Sequence, residues 1–211
     1  WNDANNQDGK RPESIKVRLL ANGTEVADKD VTPDENGKWT YTFTDLPKYA
    51  DGKEIKYSVK EDEVAGYTTK VTGYDIENSY TPETTSVSGE KTWDDGNNQD
   101  GIRPDKITVK LLANGAEYAT QEVTPDAAGN WKYSFTDLPK YANGQKITYT
   151  VEEVKVKGYT SAIKGYNITN THTPETVEIN GTKTWNDANN QDGKRPTSIM
   201  VKLLANGETV R

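Results

Sequence analysis

Residues 1–12 read WNDANNQDGKRP, residues 93–104 read WDDGNNQDGIRP, and residues 185–196 read WNDANNQDGKRP again. The spacing is 93 − 1 = 92 and 185 − 93 = 92 residues. Other landmarks keep that offset without a gap: LLANG from Leu19 and Leu111, FTDLPKYA from Phe43 and Phe135, GYT from Gly66 and Gly158. A period of 92 residues is too long for a solenoid unit and suits a small independent domain. The chain therefore reads as an array of domains with linkers of equal length.

Within a period the pattern is that of β-structure. Ile107, Val109 and Leu111 alternate with Lys106, Thr108 and Lys110, and Trp131, Tyr133 and Phe135 alternate with Lys132 and Ser134. Period-two alternation marks half-buried strands. Ile147, Tyr149 and Val151 form a third such run, and Tyr166 with Ile168 a fourth. Turn residues stand between them: Asn114-Gly115, Pro125-Asp126, Ala128-Gly129-Asn130 and Asn143-Gly144. No stretch sustains a helical period. The expected fold is all-β, a string of small immunoglobulin-like (prealbumin-like) β-sandwiches.

The linkers set the expected boundaries. Tyr80-Thr81-Pro82-Glu83-Thr84 recurs as His172-Thr173-Pro174-Glu175-Thr176, short and rich in Pro and small polar residues. This places a nearly complete domain at 1–83, a complete one at 84–175 and a fragment at 176–211. The first domain lacks the strand that SVSGEKTW supplies to the second, and the fragment holds only the first two strands. The two ends are complementary parts of one domain.

Composition narrows the classes of function. Hydrophobic residues make up 32% of the 211, too few for one large core but workable for several small ones. The 26 Lys and Arg against 33 Asp and Glu leave a formal charge of -7. That balance argues against a nucleic-acid partner and against an anionic membrane surface. No apolar run is long enough to span a bilayer. Cysteine is absent, so a secreted domain of this size would need some other staple. The chain opens in mid-pattern at Trp1, and the lack of a signal peptide carries little information.

Three polar residues fall on strand faces that parity assigns to the core. Lys91 lies two before Trp93, Glu153 follows Tyr149 and Val151, and Asn170 follows Tyr166 and Ile168. Burying such groups is costly unless they meet. Parity alone leaves three readings open: a reactive trio, a buried Lys–Glu pair with Asn bonding to both, or strand-end residues that reach solvent.

The run GEKTW at Gly89–Trp93, Tyr149-Thr150-Val151-Glu152-Glu153, Gly158-Tyr159 and Ile168-Thr169-Asn170 together resemble the Cna B-type domain. That domain is the repeat module of collagen-adhesin-like surface proteins of Gram-positive bacteria. The resemblance covers essentially the whole chain. One departure is that the collagen adhesin's repeat looks like a pair of domains, whereas here a single domain recurs. The resemblance implies a spontaneous intramolecular isopeptide bond, with Lys91 as amine, Asn170 as acceptor and Glu153 as acid–base group. A buried Lys is more readily neutral and hence nucleophilic. The same dry surroundings favour an uncharged acid that polarises the Asn170 carbonyl. Each bond forms once, so no turnover enzyme is implied.

The flanking periods hold only parts of the trio. The first carries Glu61 and Asn78, its Lys falling ahead of Trp1, and the third carries Lys183 alone. Neither is expected to cross-link within itself; segment 176–211 of one copy completing domain 1–83 of another would pair Lys183 with Asn78. The resemblance further implies a cell-wall-anchored, extracellular location, the signal peptide and anchor lying outside this segment. The expected role is a stalk whose contacts are neighbouring repeats, with host extracellular matrix reached through the parent protein. The rival is that the repeats themselves bind a host protein or glycan, repetition giving avidity. No cofactor is expected. The loops at Asp3–Gly9 and Asp95–Gly101 are rich in Asp and Asn, but their spacing is not that of a calcium loop. His172, the single histidine, is replaced by Tyr80 one period earlier, which disfavours a catalytic role.

Overall fold

The computed structural model describes residues 1–210; Arg211, the last residue of the expected fragment, lies outside the described residues. The chain divides into two compact units, Trp1–Pro174 and the remainder from Glu175 onward. All regular elements are strands. In the first period these are β1 (Ile15–Ala21), β2 (Thr24–Val31), the two-residue pair β3 (Tyr49–Ala50) and β4 (Lys53–Glu54), β5 (Tyr57–Glu61), β6 (Thr68–Thr72) and β7 (Asp75–Ser79). The second period begins with a long strand, β8 (Thr84–Asp94). It continues through β9 (Ile107–Ala113), β10 (Ala116–Val123), β11 (Trp131–Pro139), the pair β12 (Tyr141–Ala142) and β13 (Gln145–Lys146), β14 (Tyr149–Glu153), β15 (Thr160–Lys164) and β16 (Asn167–Thr171).

The second period is a sandwich of a three-stranded sheet, β10-β9-β14, and a four-stranded sheet, β11-β8-β16-β15. Alternation makes this possible. Ile107, Val109 and Leu111 of β9 and Trp131, Tyr133 and Phe135 of β11 point inward and are buried, while their even-numbered neighbours face out. With Val87, Val123, Leu138, Tyr149, Val151 and Ile168 they form one core cluster. The β9–β10 connection is the two-residue turn Asn114-Gly115, with φ of 51° and 84°. Both central residues of such a turn need positive φ, which Asn tolerates and Gly accepts without strain. Two expected strand residues fall short of their strands. Ile147 precedes β14 and is only partly buried, and Tyr166 precedes β16 and is 37% exposed. Gly165, at φ 60°, turns the chain just there, so Tyr166 belongs to the hairpin corner.

β8 lies in the middle of the four-stranded sheet, antiparallel to β11 and parallel to β16. The first period shows what its position holds together, because only Trp1 and Asn2, the last two residues of its counterpart, stand there. Without the rest of that strand, β6 and β7 form a two-stranded sheet, with a single parallel bridge from Asn2 to Ser79 marking where the strand would run. Trp39–Phe43, the counterpart of β11, forms no strand, making only an isolated bridge from Trp39 to Pro33. Strands need neighbours for their backbone donors and acceptors. The first-period core shrinks accordingly to Val17, Leu19, Val31 and Val59. Trp39, Tyr41, Phe43 and Ile76 are only partly buried, whereas Trp131, Tyr133, Phe135 and Ile168 are at most 9% exposed. The position of the missing strand is an open groove of about 510 Å³, lined by Trp1, Ile15, Trp39, Tyr41, Glu61 and Asn78 among others.

In the second unit two strands were expected, but the counterpart of β8, residues 176–186, forms none, and the counterparts of β9 and β10 are reduced to a hairpin tip, β17 (Leu204–Ala205) and β18 (Glu208–Thr209). In the second period β8 pairs with β11 and β16, and β9 pairs with β14 as well as β10; β11, β14 and β16 have no counterparts in residues 175–210. Val177 and Ile179 are 88% and 72% exposed.

Candidate cross-linking site

β8 presents Val87, Gly89, Lys91 and Trp93 to the core by simple alternation. Gly89 is required by close approach: a Cβ there would lie 2.0 Å from the Tyr166 carbonyl oxygen and 2.7 Å from the Tyr133 ring. The strand is thus drawn tightly against β11 and β16, which carries Lys91 into the interior. In the parallel ladder Lys91 pairs with Ile168 and Trp93 with Asn170, so Asn170 is one step along the same face. Glu153 arrives from the opposite sheet at the end of β14, where its backbone partner is Val109. The three side chains come from three strands and two sheets.

Lys91 and Glu153 side chains are 0% and 1% exposed, with Nζ 3.5 Å from Glu153 Oε1. Asn170 is fully buried. The Lys91 ammonium sits 4.0 Å from the centre of the Trp93 ring and donates to the Thr92 carbonyl at 3.2 Å. Burial pulls its pKa down to about 8 from 10.5, the Glu153 charge opposing this only in part. Neither Glu153 oxygen accepts a hydrogen bond, and neither the amide nitrogen nor the oxygen of Asn170 has a hydrogen-bond partner. Each such buried, unsatisfied group costs about 1–3 kcal/mol, a cost rarely left standing in a settled core. Tyr133 seals the site from β11; burial, with the Glu153 charge adding, raises its pKa to about 12, and its hydroxyl donates to the Tyr166 carbonyl.

The first period brings Glu61 and Asn78 together differently. Asn78 Nδ2 donates to Glu61 Oε1 at 2.8 Å, and the Thr69 hydroxyl lies 2.8 Å from Glu61 Oε2 and 2.7 Å from Asn78 Oδ1. With no lysine at hand, the acid and the amide satisfy each other. Thr69 has no threonine counterpart, since Ser161 stands one period on, and nothing in the repeat pattern marks it. Lys183 lies in the second unit, exposed, its Nζ 3.9 Å from the Trp185 ring centre. The posture of Lys91 over Trp93 thus recurs in the bare segment and is a local property of the K-x-W sequence.

One feature escaped the sequence reading. Asp95 is 2% exposed and accepts from Arg103 Nε at 3.0 Å and Nη2 at 2.6 Å, from the Tyr159 hydroxyl at 2.9 Å and from the Asn98 amide at 2.8 Å. Arg103 holds the Asp95 carboxyl far below the usual range. Asp3 with Arg11 and Asp187 with Arg195 repeat the clasp. The signal was the fixed eight-residue Asp-to-Arg spacing in every copy of the WxD…R motif. The Asp95 carboxylate is therefore occupied in closing its own loop, with Arg103 5.4 Å from the centre of the Trp93 ring. Among the described residues no cluster of three or more His, Cys, Asp or Glu side chains is placed to hold a metal ion.

The profile of the "Cna protein B-type domain" family matches residues 1–79, 87–171 and 179–211. The chain belongs to this family. A collagen adhesin of Staphylococcus aureus is 52% identical over 214 aligned residues, covering 99% of this chain but only 18% of that protein. The Cna B-type chain therefore spans under a fifth of that relative. The crystal structure of two B repeat units of the collagen-binding protein of Staphylococcus aureus superposes with a TM-score of 0.75 at 49% identity, covering 100% of this chain and 57% of the other. The Cna B-type fold, tandem prealbumin-like β-sandwich repeats, is thereby settled.

Proposed function

We propose that these Cna B-type repeats are a spacer in an extracellular, cell-wall-anchored adhesin, and that the second repeat is clamped by a Lys91–Asn170 isopeptide bond. The repeats would divide as 1–83, 84–175 and 176–211. The observation that carries the clamp is the wholly unsatisfied Asn170 amide, buried beside a lysine whose amine is pushed toward neutrality. Transfer of the Lys91 ammonium proton to Glu153 yields a neutral amine and a neutral acid without creating net charge. The amine nitrogen attacks Asn170 Cγ while the Glu153 acid donates to Oδ1. A proton then passes through Glu153 from the attacking nitrogen to Nδ2, the Cγ–Nδ2 bond breaks, ammonia leaves, and the proton on Oδ1 returns to Glu153 as the amide carbonyl re-forms. Folding supplies the proximity that a bimolecular reaction lacks. The bond would join the first strand of the repeat to the last.

Intact mass tests this reading. One bond lowers the mass of the chain by about 17 Da, one ammonia; a mass equal to the translated sequence overturns it. The same measurement tests pairing between copies. Segment 176–185 keeps Gly181 and Lys183 at the positions of Gly89 and Lys91, and the open groove of the first repeat presents Glu61 and Asn78. Strand donation between copies predicts covalent multimers at high concentration, and monomer mass alone excludes it. A spacer leaves host-matrix binding to other parts of the parent protein. Saturable collagen affinity that rises with repeat number would make the repeats the binder instead.

A further inference from the structure

Contacts between the first and second repeats are specific and involve backbone. Gly144 N, in the Asn143-Gly144 turn of the second repeat, donates to the Gln7 carbonyl of the first at 3.0 Å. A Cβ on Gly9 would lie 2.6 Å from Gly144 Cα, closer than real side chains approach. Around this point the linker is pinned on both sides. Asp8, 6% exposed, accepts from the Tyr80 hydroxyl at 2.9 Å and from the Glu83 amide at 2.8 Å. Lys140 in turn donates its amide to the Glu83 carbonyl at 3.0 Å and pairs through Nζ with Glu83 Oε2 at 2.6 Å.

Positive φ alone does not demand glycine at position 9. Ala4, Asn5 and Asn6 of the same loop hold φ of 49° to 58° without it, whereas the backbone approach of Gly144 does demand it. The second repeat keeps glycine at the matching position, Gly101, with φ 69° and nothing within 4 Å of a built Cβ. The first repeat keeps the receiving turn as Asp51-Gly52, with φ of 48° and 75° against 49° and 74° in Asn143-Gly144, and it too is open. Lys48 stands where Lys140 stands one period on.

We infer that the Asp-Gly loop and the Gly-containing β3–β4 or β12–β13 turn are the two halves of a repeat-to-repeat docking joint, and that the Asp51-Gly52 turn is a vacant socket for the Asp-Gly loop of another copy of this repeat. Lys48 would take the linker glutamate of that copy, as Lys140 takes Glu83. The joint fixes the angle between successive repeats, and it stands on contacts separate from the cross-link.

The chain has no cysteine, so Glu35→Cys and Ala127→Cys place two spin labels on exposed turns, one in each repeat. Pulsed electron–electron resonance on the full chain should give a narrow distance distribution. Gly9→Ala should broaden it at least twofold, while Gly101→Ala, with the same loop geometry and no neighbour, should leave it unchanged. A broad distribution in the parent, or equal broadening by both substitutions, overturns the joint. The socket is tested by placing a copy of residues 84–184 ahead of Trp1. Gly101→Ala within that copy should now broaden the distance across the new junction, measured from the copy's Ala127→Cys to Glu35→Cys. No effect there overturns the vacant socket. Intact mass is read on every sample; an unchanged ammonia deficit beside a broadened distance separates failure of the joint from failure of the clamp.

Discussion

Lys91→Met removes the amine while keeping most of the buried volume. The proposed clamp would close a loop of 170 − 91 = 79 residues, for which chain entropy gives roughly 4–5 kcal/mol of stabilisation. At about 4–8 °C per kcal/mol for a domain of this size, the second-repeat transition should fall by about 20–35 °C. Part of any loss would come from leaving Glu153 buried without its partner, worth about 3–5 kcal/mol when a buried pair is broken. The double variant Lys91→Met with Glu153→Met removes that contribution. Apolar replacement of a buried pair is often neutral or stabilising, so whatever deficit remains belongs to the bond. Calorimetry read beside intact mass makes the assay. If the double variant melts within a few degrees of the parent while the parent carries the ammonia deficit, the covalent bond is not what stabilises the repeat.

Three further outcomes follow from the same geometry. Asn170→Ala leaves Lys91 unreacted with its amine held down to about 8 against 10.5 in the open chain. Its contribution should be full above pH 10.5 and be lost as pH falls through about 8, by up to about 3 kcal/mol, a dependence that urea titration should find in this variant and not in a parent that carries the proposed bond. His172 Nε2 lies 2.8 Å from Asp100 Oδ2 and Nδ1 3.0 Å from the Gly158 carbonyl, and Asp100 raises its pKa above 6.5. That contact should be at full strength below pH 6.5 and weaken as pH rises through the elevated midpoint, seen in the ring shifts by NMR; His172→Tyr, as at Tyr80, should abolish the dependence. Gly89→Ala should cost roughly 3 kcal/mol through overpacking against Tyr133 and Tyr166, whereas Ser88→Ala on the exposed face should stay near parent stability by calorimetry.

How far the residues disclosed the molecule can be traced position by position. Alternation in Ile107–Leu111 and Trp131–Phe135 located β9 and β11 because a half-buried strand has only two faces. The same parity turned Lys91, Glu153 and Asn170 inward. Parity failed where burial depends on distant neighbours. Tyr166 shares the parity of Ile168 but sits at a corner, and Trp39–Phe43 carries the pattern of β11 yet forms no strand because its partner is missing. The Asp95–Arg103 clasp was hidden because Asp and Asn in a loop look like turn formers, and only the regular distance to an arginine betrayed it. The meeting of Gly9 with Gly144 was beyond sequence altogether, since two glycines 135 positions apart (144 − 9) carry no mark of contact.

The parallel pairing of β8 with β16 has a mechanical corollary. The chain enters the second repeat at the start of β8 and leaves at the end of β16, and in parallel neighbours those points lie at opposite ends of the ladder. Traction on the array therefore loads this pair in shear, its hydrogen bonds strained together instead of parting one by one like a zip. An amide between Lys91 and Asn170 would lock about 270 Å of contour length, the 170 − 91 = 79 residue steps between them at full extension, out of reach of that traction. A repeat without it would release that slack in one step, and the rod would give way at its weakest ladder.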